Sequence, residues 1–268
     1  DKNHPDPYLL GKKRPIENQP SLTTAIGRAE FTSHQPIVGK ILSPKHFGAI
    51  PGRSIQLAAI MSDAVLEYCR VQQTAVSVLS LDMRDMFVRP VFKVIEQVFH
   101  DRLPRRAASI LLSSFRNRKA IVDTTKGPTV PVKAKCGLGQ GFISSAEAAV
   151  AYNDGVTRGM DRGNCSQARW QDLTPEDYRL LEAEGIPVIG GVPCGVVVLT
   201  DDHNAIRIGG DDNTSRAADK FCDEIRAMGG DVQADKMFCV AYGKSRRHHM
   251  SQRRTTSITC QGRPVRTH

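Results

Sequence analysis

The chain has little that would hold it in a membrane or in an oxidising compartment. No apolar run among its 268 residues approaches the roughly 20 residues of a membrane-spanning helix, so no membrane partner is expected. Its seven cysteines are scattered, odd in number and without a Cys-x-x-Cys pair. This argues against a zinc site or a disulfide framework and makes a reducing compartment the default. Acidic residues are in deficit too: 28 against 37 lysines and arginines leave a formal net charge of +9. With no amphipathic basic helix in view, that excess favours nucleic acid over lipid as a polyanionic partner. Trp170 is the only tryptophan. No secretory signal is visible, and the abrupt start at Asp1-Lys2-Asn3 is read as that of a piece of a longer polypeptide. The length suits one large domain or two ordinary ones.

What is present centres on Val196 to Ile208. Two runs rich in β-branched residues flank Asp201-Asp202, which predicts strand, tight turn, strand. Adjacent carboxylates repel each other. A divalent cation with oxygen ligands, most readily magnesium, would relieve them, and a solvated Asp-Asp turn is the alternative.

Residues 1–35 are rich in proline and basic groups, with Lys12-Lys13-Arg14-Pro15-Ile16 as the sharpest feature. A proline-fixed backbone beside an always-charged arginine can hold a cation toward phosphates, or be a solvated basic turn. After the loop Phe47-Gly48-Ala49-Ile50-Pro51-Gly52-Arg53, Ser54 is the expected cap of a helix whose apolar face includes Ile55, Ala58, Val65 and Cys69. Thr74 to Leu81 alternates as a strand and runs out at Asp82, a common position for a metal ligand. Two helices are predicted from Pro90 to His100 and from Arg105 to Phe115, then a hairpin over 119–132 around Lys126-Gly127-Pro128.

Gly137 to Ser145 is a glycine-rich loop feeding an alanine-rich helix, with Gln140 offering both donor and acceptor. Residues 163–191 read as an insertion, its helix started by Thr174-Pro175-Glu176-Asp177 and Trp170 anchored in the core. The second acidic pair, Asp211-Asp212, is assigned to the positive end of a helix that Gly229-Gly230 stops. Met237 to Tyr242 follows as a strand. Lys244 to Arg254, with Arg246 and Arg247, is either a solvated basic loop or a phosphate-tracking surface.

Taken in this order, the Arg-Pro-Ile, the Phe-Gly and Gly-Arg-Ser loop, the strand ending in Asp82, the Gly-Gln-Gly loop, the Asp-Asp hairpin and the lysine after a glycine-ended helix resemble the reverse transcriptases. The resemblance is greatest to those of non-LTR retrotransposons and runs from about Arg14 to Arg263. It implies an α+β right-hand polymerase fold, with fingers over 1–75 and a palm over 76–268. Residues 115–140 are left open between the two. The palm is expected to be an antiparallel sheet with packed helices in a ferredoxin-like, split βαβ layout, and the thumb to be absent, because Ile258 to Val265 matches only the opening of the next motif.

The same resemblance implies an RNA-directed DNA polymerase whose partners are an RNA template, a DNA primer and deoxynucleoside triphosphates. Its cofactor would be two magnesium ions, with manganese as a substitute, and its compartment the nucleus. Asp82, Asp201 and Asp202 match the metal ligands, Asp82 and Asp201 bridging the ions and Asp202 supporting them. Lys236 matches a lysine that helps protonate the leaving group. Lys13 and Arg14 would clamp phosphates, Phe87 would block a 2′-hydroxyl, and Gln140 and Gly141 would seat the nucleotide. Arg53, Gly139, Ser145, Arg246 and Arg247 would contact nucleic acid. Leu199-Thr200, Ala146 and Val88 depart from the family pattern, although telomerase reverse transcriptases share the leucine. These departures keep a second reading open: a domesticated or degenerate polymerase-fold scaffold that binds RNA or proteins without catalysis.

Overall fold

Strand β1 (Val76–Leu81) is the axis on which the other elements assemble. Its pleat sends Leu79 and Leu81 to one face and Val76 to the other, and all three are buried. The computed structural model describes residues 21–267 apart from 88, 117, 122, 125–126, 135, 140–144, 166–169 and 244–256. Before β1 come α1 (Ser21–Ile41) and α2 (Ile55–Val71). After it come α3 (Phe92–Arg102), α4 (Arg105–Phe115), the strands β2 (Lys119–Ala120), β3 (Asp123–Thr124), β4 (Gly127–Pro128) and β5 (Val132–Lys133), and α5 (Ser145–Arg162). A 3-10 turn at Trp170–Asp172, α6 (Pro175–Ala183) and a short hairpin of β6 (Val188–Ile189) and β7 (Val192–Pro193) lead to β8 (Val196–Leu199) and β9 (Asp202–Ile208). Then follow α7 (Asp211–Ala227), β10 (Phe238–Tyr242), β11 (Thr259–Cys260), β12 (Arg263–Pro264) and β13 (Arg266–Thr267).

The main sheet has the order β13-β10-β1-β9-β8. Its three pairings from β10 to β8 are antiparallel, and β13 joins the edge in parallel. Counting β1, β8, β9 and β10 as first to fourth, the spatial order is fourth, first, third, second, with α5 and α7 as crossovers. This is the split βαβ layout expected from the sequence.

Both crossover helices pack on one face, where Ala148, Tyr152, Val156, Met160, Ala218, Phe221 and Ile225 meet Leu79, Leu81, Val198 and Ala205. On the other face α2 sets Ala58, Val65 and Cys69 against Val76, Val197 and Ile206. Phe238, opposite Ser80 of β1, is 37% exposed.

Local signals explain the element ends. Ser54 Oγ accepts from the Leu57 amide, and Thr174 and Asp177 form a reciprocal capping box. Asp211 and Asp212 occupy the first turn of α7, whose end is closed by Gly229 at φ +80°. Three expectations need correction. Ile55 is 61% exposed, because it lies in the first turn of α2, ahead of the part that reaches the sheet. Trp170 is half-buried rather than a core anchor. Gly127-Pro128 forms the return strand β4 instead of the turn. Among the described residues, no helix is long and apolar enough to cross a membrane.

Glu147, in the first turn of α5, is 3% exposed, and burial pushes its carboxyl up to about 8 against the pull of a hydrogen bond with Gln35. The folded chain therefore keeps a proton that the unfolded chain releases in the ordinary carboxylate range. Its stabilising share is whole below that range and lost as pH rises through about 8. In urea unfolding between about pH 5 and pH 8, wild type should lose stability relative to Glu147→Gln at up to roughly 1.4 kcal/mol per pH unit. Parallel curves for the two proteins would mean that Glu147 is ionised in the fold.

Candidate active site

Register places the acids before any side chain is considered. The last β1–β9 pair is Leu81 with His203, so one step further Asp82 stands level with Asp202. Directly opposed residues of antiparallel strands project to the same face. On the other side of β1 the last pair is Ser80 with Phe238; beyond it the 3-10 turn Ala234–Lys236 loops out and the pairing resumes at Met83 with Val232. Lys236 Nζ lies 3.2 Å from Asp82 Oδ2. Backbone bonds fix the strand extension: the Gln233 amide donates to the Asp82 carbonyl at 2.9 Å, and the Arg84 amide to the Asp231 carbonyl at 2.8 Å.

The Asp202 carboxyl is held above its ordinary value, first by partial loss of hydration, then by the charge of Asp82, with Lys236 pulling the other way. Two carboxylates side by side, only partly neutralised by one lysine, fit a hard dication. Magnesium commonly takes one or two protein carboxylates and fills its remaining positions with water and phosphate. Among the described residues, no three His, Cys, Asp or Glu side chains gather as a metal-binding group. Asp201, expected to bridge with Asp82, sits in the turn between β8 and β9, one residue before the Asp202 that stands level with Asp82.

That turn is held from below and from the side. Asn153, fully buried on α5, donates from Nδ2 to the Thr200 carbonyl at 3.1 Å and reaches Met86 Sδ at 3.6 Å. His203 Nδ1 lies 3.0 Å from the Asp201 carbonyl and its Nε2 lies 3.4 Å from Thr157 Oγ1, while its ring packs on Phe221 at 5.2 Å between centroids. Burial pushes His203 down to about 4, so it is neutral at physiological pH. From the side, Lys45 to Phe47 pairs with the edge of β8: the Val198 amide donates to the Lys45 carbonyl and the Phe47 amide to the Val198 carbonyl. Gly48 then meets the turn so closely that a Cβ there would stand 2.4 Å from Thr200 Oγ1 and 2.7 Å from Thr200 N.

The glycine-rich loop is tied to the segment after Asp82. The Leu138 amide donates to the Phe87 carbonyl at 2.7 Å and the Gly137 amide to the Pro90 carbonyl at 2.8 Å. Phe87 itself packs partly against the core. Ser145, expected on nucleic acid, is buried, and its hydroxyl donates to the Leu138 and Gly139 carbonyls. Gly139 is buried at φ +75°, a conformation that suits glycine. Arg53, also expected on nucleic acid, is committed to backbone: its guanidinium donates to the carbonyls of Ser43, His46 and Gly39 at 2.7, 2.8 and 3.0 Å. Lys13, Arg14, Gln140, Gly141, Arg246 and Arg247 lie outside the described residues. Asn153 and Thr157 were missed as site-building residues. Their helical position under a predicted hairpin was the one available signal.

No protein-family model matches the chain, and no curated protein matches it. Solved structures do. Apo telomerase from Candida tropicalis, truncated from its C-terminal domain, is similar over 86% of this chain and 42% of its own, at TM-score 0.52 and 13% identity. Telomerase from Candida tropicalis with a fragment of telomeric RNA covers 88% of this chain and 35% of its own, at TM-score 0.52 and 12% identity. The corresponding Candida albicans complex covers 89% and 38%, at TM-score 0.51 and 13% identity. The chain thus spans less than half the length of these telomerases, and what it shares with them is a polymerase fold of the reverse-transcriptase type.

Two outcomes follow from this geometry. Because the neighbour at Gly48 is backbone, Gly48→Ala should destabilise the fold by about 1–3 kcal/mol, and Asn153→Ala by a similar amount through the unpaired Thr200 carbonyl, both measured by urea unfolding. Stability unchanged in both would show that the turn holds itself. Asp202→Asn removes a charge that the fold raises in free energy, so its melting temperature should exceed that of wild type at pH 7. The gap should close as pH falls through the titration of Asp202, below which wild type is protonated too.

Proposed function

We propose that the chain is the catalytic core of an RNA-directed DNA polymerase of the non-LTR retrotransposon kind, residues 1–75 serving as fingers and 76–268 as palm. The observation that carries the reading is the level placement of Asp82 and Asp202 on adjacent strands, with Lys236 against Asp82. In this reading Asp82 and Asp202 hold magnesium, or manganese in its place, and Asp201 supports them from the turn. When bound, the metal supplies Lewis-acid polarisation of phosphate oxygens and of the primer hydroxyl.

The chain's own groups do the rest. Lys236 balances Asp82 in the resting site and is positioned to give a proton to the departing pyrophosphate. Phe87, fixed by its carbonyl to the glycine-rich loop, limits the space for a 2′-hydroxyl and so favours deoxynucleotides. Gly139, with Gln140 and Gly141, seats the nucleotide. Lys13 and Arg14 clamp its phosphates, and Arg246 and Arg247 follow the nucleic-acid backbone. An RNA template, a DNA primer and a nuclear location belong to the same proposal.

A scaffold without catalysis is the second reading. It is favoured by the Lys236–Asp82 ion pair, which already satisfies one acid, and by the absence of a three-ligand group among the described residues. Primer extension on an RNA template separates the two. The polymerase reading expects magnesium- or manganese-dependent incorporation that falls roughly 10³-fold or more in Asp82→Asn and in Asp202→Asn, as expected when a charge worth several kcal/mol in the transition state is lost. RNA binding without metal-dependent incorporation in the wild-type protein leaves the scaffold.

A further inference from the structure

The hairpin β11–β12 turns through Gln261 at φ +52° and Gly262 at φ +73°, the pair of positive values of a type I′ turn. It lies along α7, fastened by a ladder that uses every fourth side chain of the helix. The Ser257 amide donates to Asp211 Oδ2 at 2.9 Å, the Thr259 amide to Ser215 Oγ at 3.0 Å and the Gln261 amide to Asp219 Oδ1 at 2.5 Å. Gln261 Nε2 adds a bond to Asp223 Oδ1 at 3.1 Å. Between these rungs, Cys222 of α7 and Cys260 of β11 bring their sulfurs to 3.0 Å. Both are free thiols and both are buried. They line a cavity of about 160 Å³, walled also by Arg226, Val232, Ala234, Gln261 and Arg263.

We propose that Cys222 and Cys260 are a modification site, a thiol pair that a small hydroperoxide oxidises to a disulfide clasping the hairpin to α7. The cavity gives a hydroperoxide room beside the two sulfurs. The hydrogen bond with Cys222 and, after it, Arg226 favour the thiolate of Cys260, while burial, Asp219 and Asp223 oppose it.

The chemistry needs no other partner. The Cys260 sulfur bonds to one peroxide oxygen, the O–O bond breaks, and the hydroxide released takes up the thiol proton as water, leaving a sulfenic acid. The Cys222 thiol then attacks that sulfur, the S–S bond forms, the S–O bond breaks, and a second water leaves. Two sulfurs are oxidised by two electrons in all, and one peroxide is reduced to two waters. Oxidation would fasten the hairpin beside Val232 and Ala234, in the segment whose Gln233 amide holds the Asp82 carbonyl.

The test treats the folded full chain with hydrogen peroxide, quenches it, blocks the remaining thiols under denaturing conditions and maps the peptides. A Cys222–Cys260 cross-link that dithiothreitol reverses, with a melting temperature raised in step and lowered again on reduction, is the expected result. Cys136, which is exposed, serves as the internal control for oxidant exposure. Oxidation of Cys136 while Cys222 and Cys260 both stay blockable would overturn the proposal, and a cross-link with unchanged melting temperature would overturn the clasp. In Cys222→Ser the reaction should stop at a dimedone-reactive sulfenic acid on Cys260; no such adduct would remove Cys260 as the attacking sulfur. Should that variant fail to fold, the wild-type peptide map decides alone.

Discussion

Like charges held level on neighbouring strands are the constraint to which the rest of this chain answers. Asp82 and Asp202 meet because β1 lies between β9 and β10 and ends where β9 begins. Nothing in their own chemistry favours the encounter, as the raised Asp202 carboxyl records. One lysine, delivered by the 3-10 turn ahead of β10, offsets part of the repulsion. The remainder must be met by elements that hold the backbone still, and those elements are polar, buried and neutral or fully paired.

The support behind the turn illustrates this. Asp154, one residue beyond Asn153, accepts from the Ser43 amide at 2.7 Å and from Arg158 Nε at 2.6 Å, and Arg158 reaches on to the Ile41 carbonyl. The helix that carries the turn's anchor is therefore bound to the loop that pairs with β8. One helical turn or so further, Asp161 accepts from the Gly195 amide, while Arg207 donates to the carbonyls of Gly195, Ile206 and Met160. Burial pushes the Asp161 carboxyl up to about 6 against the pull of Lys45, 3.8 Å away. A buried charge held by several hydrogen bonds is costly to strip of its partners, so these links help to set positions.

How much of this could be read from the residues depended on how local the physics was. Ser54, the Thr174 box and the glycine stop after α7 are short-range hydrogen-bonding choices, and each stands where the pattern predicts. The strand before Asp82 was legible from two-residue alternation and the Asp-Asp hairpin from its β-branched flanks, and the ferredoxin-like order of the sheet followed from the motif resemblance. Contacts across the fold were not. Arg53 and Ser145 are residue types that suit nucleic acid, and only the folded chain reveals that backbone carbonyls claim them. That Asp202 stands level with Asp82 turns on one residue of register, which no composition or periodicity carries.

Register also explains the departure at Leu199-Thr200. Leu199 is partly buried against the cluster beneath α2, alongside Phe47, so an aliphatic side chain fills the place from which the sheet meets the loop of Lys45 to Phe47. Thr200 adopts φ +59°, a region in which a β-branched residue is strained by roughly 1–3 kcal/mol. A glycine would relieve that strain, but it would give up the side chain that lies against Gly48. The Asn153 bond to the Thr200 carbonyl returns about 1 kcal/mol and fixes the direction of the peptide that leads into Asp201. Strain at Thr200 is thus tolerated because neighbours on α5 and in the Phe47-Gly48 loop determine the turn. Those same neighbours fix where β9 starts, and with it which aspartate faces Asp82.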